Sequence, residues 1–202
     1  MSFLSIQLRT RLGEILLAFT LIVFVWLLQT DLLNRISLTG LTCNVPLTFT
    51  IVWAAVFGSP LGRLTPENVR DMPLAQVAFY QALTGSLSGT LVGATFAALY
   101  GSVLPIYPIS YPVIGWLTGY FNLQRLSQGA LMAIPLVLFA SVLAEFITAG
   151  QLTILGRVGV ENHFMTIALP EAILNALIAP IIYIPMRRWY EFRSSFAGAV
   201  IE

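Results

Sequence analysis

The sequence predicts an all-α integral membrane protein, a compact bundle of six transmembrane helices, and three observations carry that prediction. Hydrophobic residues make up 57% of the 202-residue chain and charged residues only 9%, against about a quarter charged in soluble domains. Six stretches are long and apolar enough to cross about 30 Å of hydrocarbon as helices. The arginines divide unevenly between the loops those stretches create, as basic residues in short loops do around a membrane.

The spans fall at about 12–30, 38–58, 74–100, 104–121, 130–150 and 165–186 within a single multi-pass domain, 1–202, whose end, 187–202, is a short cytoplasmic tail. Arg9 and Arg11 precede the first span like the start of a signal peptide, but Gln29, Thr30 and Asp31 follow it without a small-residue cleavage pattern, so it is read as retained. The fourth span is the weakest. Pro105, Pro108 and Pro112 interrupt its start and Gly115 and Gly119 lie in its body, so it is partly extended or re-entrant if it is not a full helix. In the sixth, Pro180 removes the helical donor of the Ala176 carbonyl and predicts a kink, and Pro185 marks the cytoplasmic end. With six spans and a cytoplasmic amino terminus, Arg9, Arg11, Arg63, Arg70, Arg125, Arg187, Arg188 and Arg193 fall inside, and Arg35 and Arg157 outside. Both termini are therefore expected in the cytoplasm.

Composition also narrows function. All ten basic residues are arginine, which removes a phosphate-loop lysine and a Schiff-base amine. A net charge of +1 predicts no nucleic-acid partner. Cys43 is the only cysteine and His163, beside Glu161 and Asn162, the only histidine, so an internal disulfide and a cysteine-based metal cluster are excluded and no metal or cofactor is expected. His163 reads as a solvated loop residue.

Two sets of residues stand out. Gly85, Gly89, Gly93, Ala97 and Gly101 recur at four-residue intervals along the third span, a helix-packing seam of small residues that lets two backbones approach closely. Packing within one subunit is the preferred reading; docking with a separate membrane protein is the other. The second set is an intramembrane polar layer: Ser141 and Glu145 share one face of the fifth span, Glu171 and Asn175 one face of the sixth. Glu145 and Glu171 both lie roughly 8 to 9 Å from the outer ends of their spans. An acid facing lipid at the bilayer centre costs about 3 kcal/mol, less near the interface, enough to turn both inward. Three readings stay open for this layer: a satisfied structural network with Glu171 capping the helix start and Asn175 bonding a neighbouring backbone; an outward-facing solute pocket helped by Arg157 and His163; or a contact surface for another protein's membrane or extracytoplasmic segment. Catalysis ranks below these, because no Ser-His-Asp arrangement, metal cluster or phosphate loop accompanies the acids. Beyond the sixth span, Trp189, Tyr190 and Phe192 with Arg193 read as an interfacial anchor and a short partner-binding helix.

The last span, LPEAILNALIAPIIYIPMRR, resembles that of the bacterial rod shape-determining protein MreD family, with Pro170, Asn175, Ala179 and Pro180 matching the family pattern. The glycine-rich third span and VIGWLTGYF, with Gly115 and Gly119, are similar to the family's central region. The chain departs from the pattern where Tyr100, Gly101 and Ser102 stand in place of a frequent aspartate, and in a longer segment from Gly62 to Pro73. The resemblance implies a non-enzymatic scaffold or adaptor of the cell-elongation machinery in the bacterial inner membrane. Such a protein binds the bitopic protein MreC and links MreB filaments to peptidoglycan synthesis by RodA and its transpeptidase partner. It also implies a fold similar to the six-helix substrate-binding subunits of energy-coupling-factor vitamin transporters, and such a subunit is the alternative function. The Ala-x-x-x-Ala pair that those subunits carry in their first span is absent from GEILLAFTLIVFVWLLQT, whereas Ala94 and Ala98 show that spacing in the third. Tyr107, Ser110 and Tyr111 offer part of the aromatic and hydrogen-bonding rim a solute site would want.

Overall fold

A computed structural model of the chain describes residues 16–33, 43–57, 73–101, 109–121, 123, 128–156 and 164–198. Among them all regular structure is helical, in six rods. These are α1 (16–33, ending in the π-helical turn Leu28–Leu33), α2 (Val45–Phe57), α3 (Leu74–Gly101), α4 (Ser110–Thr118), α5 (Gly129–Ile154) and α6 (Leu169–Gly198, entered through the π-helical turn Phe164–Ala168). Two of them, α5 and α6, are long and apolar enough to cross a membrane.

The second helix is the axis of the fold. Every residue from Val45 to Val56 is buried, because α3, α4, α5 and α6 all pack on it. Its threonines are tolerated there because their hydroxyls donate to carbonyls one turn back, Thr48 to Asn44 at 3.0 Å and Thr50 to Pro46 at 2.8 Å. Trp53 donates from Nε1 to Ser88 Oγ at 2.9 Å. An aromatic column then descends the helix: Phe49 and Trp53 stack at 5.7 Å, Trp53 meets Phe57 at 4.2 Å, and Phe57 meets Tyr190 of α6 at 6.1 Å.

Contacts between named residues give the directions of the rods. Phe49 touches Phe96 while Trp53 touches Ser88, so α2 and α3 are antiparallel. Gly93 lies against Tyr111 and Gly89 against Gly115, so α4 turns back along α3. Ser141 pairs with Asn175, and Gly129 lies against Tyr183, so α5 and α6 are antiparallel as well. Asn44 meets Asn175 and Phe57 meets Tyr190, so α6 runs parallel to α2.

Three expected spans differ in extent from the helices described. In the second, expected over 38–58, the described helix is Val45–Phe57 with Asn44 as its cap; 38–42 and 58 lie outside the described residues, as do 12–15 of the first span. The fourth, expected over 104–121, contains a helix of 9 residues, about 14 Å long. Its start follows Pro108, its turn ends at Gly119 to Phe121, and 104–108 lie outside the described residues. The helix that holds the sixth span extends past Pro185, the expected cytoplasmic end of that span. It continues as helix to Gly198 through both Pro180 and Pro185, so the expected tail at 187–202 is helical over its described part. Tertiary contacts beyond the prolines hold it: Tyr183 and Met186 are buried, and Tyr190 packs on Phe57.

Tyr183, midway along α6, meets the start of α5 and the Leu123 carbonyl that precedes it. Its hydroxyl donates to the Leu123 carbonyl at 3.1 Å, and Gly129 leaves room for it, since a Cβ there would overlap the tyrosine hydroxyl. Tyr183→Phe is expected to cost about 1 kcal/mol by leaving that carbonyl unpaired, a loss that a thermal melt of the detergent-purified protein checks.

Candidate functional site

The buried start of α2 creates an accounting problem, because the first N–H groups of a helix have no partner within it. Here each is met by a different part of the fold. The Asn44 N–H donates to Asn175 Oδ1 of α6 at 2.6 Å. The Val45 N–H donates to Gln29 Oε1 of α1 at 3.1 Å. Pro46 has no N–H to satisfy. The Leu47 N–H donates to Asn44 Oδ1 at 3.1 Å, the bond of an N-cap. The helical ladder begins with Thr48 N–H to the Asn44 carbonyl at 3.0 Å.

The same asparagine extends the network sideways. Tyr111 of α4 donates from its hydroxyl to Asn44 Oδ1 at 2.8 Å, so both lone pairs of that oxygen are occupied. Asn175 Nδ2 donates onward to Ser141 Oγ of α5 at 3.3 Å. Gln29, Asn44, Tyr111, Ser141 and Asn175 are all buried and tie α1, α2, α4, α5 and α6 at one level. Beside them lie the two acids. Glu171 interacts with the Asn44 side chain and feels the charge of Glu145, and both carboxyl groups are half-buried.

Of the polar layer expected from sequence, the structure therefore brings Ser141 and Asn175 into direct contact and sets Glu145 and Glu171 close enough to interact. Asn175 and Ala179 share a buried face of α6, while Pro170 and Pro180 are half-buried. Arg157 and His163 lie outside the described residues, as does Tyr107. Tyr111 is engaged by Asn44, and Ser110 is fully buried with its Oγ unpartnered among the described residues. In the seam, Gly89 and Gly115 face one another so closely that a Cβ on either would overlap the other's carbonyl oxygen, and a Cβ on Gly93 would overlap that of Tyr111. Ala97 is buried beside them; Gly85 and Gly101 belong to the same helix. This part of the seam faces α4 of the same chain.

No protein-family model, curated protein or solved structure matches the chain.

Gln29 and Asn44 escaped the sequence reading. A signal for Asn44 was present: an asparagine followed at once by Val45, Pro46 and an apolar run marks a helix start, with proline in the first turn. Gln29 carried none, because only the tertiary fold places it against the first N–H of α2. Among the described residues no group of three or more His, Cys, Asp or Glu is placed to hold a metal ion.

Proposed function

We propose that the protein is a multi-pass membrane scaffold whose helical body is held rigid so that its outer faces can seat another membrane protein. Membrane embedding is supported by what the helices leave outside. Phe139 is 73% exposed, Ile181 69% and Leu177 62%, an inversion of the polar surface a water-soluble bundle needs. The six helices are proposed as six passes with both ends of the chain cytoplasmic. A reporter active only outside the membrane, fused after Glu202, is expected to stay silent; activity would overturn the orientation.

The observation that carries the scaffold role is the use made of Asn175. This residue of the MreD-like pattern holds Asn44 with one end of its amide and Ser141 with the other. Its chemistry is thus directed at fixing helices relative to one another, with α3 and α4 locked by their glycines. The partner in this reading is a bitopic, MreC-like protein, and the assembly would link MreB filaments to RodA and its transpeptidase partner. Purification from the native membrane, with identification of the bound proteins and small molecules, tests it. Recovery of an MreC-like protein supports the proposal. One stoichiometric vitamin without that protein would establish the transporter-subunit alternative instead.

A further inference from the structure

The antiparallel packing of α5 on α6 sets two acids opposite one another. Ser141 and Asn175 mark one level of that interface, since the Asn175 amide donates to Ser141 Oγ at 3.3 Å. Glu145 lies one helical turn after Ser141 on α5, and Glu171 one turn before Asn175 on α6. Because the two helices run in opposite directions, both steps rise about 6 Å the same way, and each stays on the face it left. The two half-buried carboxyl groups therefore meet across the interface, one turn above the Ser141–Asn175 bond, where Glu171 feels the charge of Glu145.

The described surroundings offer this pair donors but no positive charge. Asn44 Oδ1 is fully used by the Leu47 N–H and the Tyr111 hydroxyl, so what Asn44 turns to Glu171 is its amide N–H. Ser141 is 1% exposed, and it accepts from Asn175. Its own hydroxyl proton has no acceptor among the described residues, whereas Thr148 and Thr153 of the same helix donate back to Ala144 and Ala149. A buried donor thus remains unspent one turn below two carboxyl groups that have no counter-charge. The other titratable groups of the packed elements are Cys43 ahead of α2, Tyr100 closing α3, Tyr111 of α4 and the exposed Asp31 of α1; none is a cation. Arg187 lies about 24 Å further along α6. Arg157, Glu161 and His163, in the connection between α5 and α6, lie outside the described residues.

We propose that Glu145 and Glu171 share a single proton across the α5–α6 interface, a latch that alkaline solution opens. Two like charges facing one another between packed helices disfavour double ionisation, so the proton belongs to the pair and not to either residue. Held there, it joins the carboxyl groups by a hydrogen bond, with Ser141 donating from below and Asn44 from the side. Lost to solvent, it leaves two carboxylates that push this part of the interface apart. The folded pair keeps a proton that the unfolded chain has released, so stability is full at low pH and falls as the pair titrates on raising the pH. The latch needs only the α5–α6 contact and stands apart from the scaffold reading.

Infrared difference spectra of the full chain in mild detergent, taken between about pH 6 and about pH 9, test it directly. One protonated-carboxyl C=O band is expected to disappear as the pH rises. In Glu145→Gln that titration is expected to move down by about one pH unit or more, because the remaining acid no longer faces a second charge. Thermal melts of the same samples are expected to fall by about 5 °C across the range in wild type and to stay level in Glu145→Gln, whose amide replaces the shared proton. Absence of a protonated carboxyl at neutral pH, a titration unchanged in Glu145→Gln, or a level wild-type melt would each overturn the proposal. So would a band that appears only when Arg157→Gln and His163→Gln are combined, since the connecting segment would then supply the counter-charge.

Discussion

Replacing Asn44 by alanine is expected to destabilise this protein more than any other single polar substitution, by about 3 kcal/mol. One side chain supplies the N-cap of α2, accepts from Tyr111 and faces Glu171. Loss of a cap accounts for about 1 kcal/mol. Because the start of α2 is buried, leaving the Leu47 N–H without that cap raises this to about 2 kcal/mol, and the Tyr111 hydroxyl loses its bond to Asn44, at about 1 kcal/mol. The Asn44 backbone bond to Asn175 survives in the variant, so the loss falls short of the whole network. Serine at this position retains a cap acceptor but is too short to reach Tyr111, and should recover part of the loss. Melting of detergent-purified variants, read by the fraction that stays monodisperse, should show Asn44→Ala lower by about 6 to 12 °C, with Asn44→Ser between it and wild type. A melt of Asn44→Ala equal to wild type would mean that the network is not formed.

Gly89→Ala is expected to cost about 3 kcal/mol or more, and Gly89→Leu to prevent folding. An added Cβ would overlap the Gly115 carbonyl oxygen and the Ala54 Cβ, neither of which is the end of a flexible chain. Overpacking that neighbours cannot relieve by a rotamer change must be relieved by separating helices, here α3 from both α2 and α4. Gly150→Ala is the matched control. That glycine is also helical, in α5, but a Cβ there meets nothing within 4 Å. Its substitution should be neutral or stabilising by about 0.5 to 1 kcal/mol through helix propensity. The pair separates packing from propensity: equal melts for the two variants would show that α3 and α4 do not approach as described. A Gly89→Leu protein that folds but no longer captures its partner would move the seam from internal packing to docking.

The helical class, and the third and fifth helices to within a few residues, were legible because apolar run length is a local property. Four-residue spacing also marked Ser141 and Asn175 as members of polar stripes on two helices, but not that the two side chains meet. The ends of α2 and α6 were less legible. Asn44 carried a readable cap signal, whereas nothing local shows that α6 continues as helix through Pro185 to Gly198, where Tyr183, Met186 and Tyr190 are fixed by other helices. Proline removes one bond and adds a clash, and packing on both sides outweighs that local penalty.

Glu171 and Asn175 were conspicuous in an otherwise apolar segment from the start, since polar atoms in hydrocarbon demand partners. That demand is written in the chain. The identity of the partners is not, because Asn44 lies 131 residues from Asn175 and Gln29 precedes Val45 by 16. Distances of that kind close only when five helices have docked. Composition and run length therefore fixed that the chain is helical and apolar outside. The tertiary structure decided which polar atom answers which, and so turned a suspected site into the fastening of the bundle.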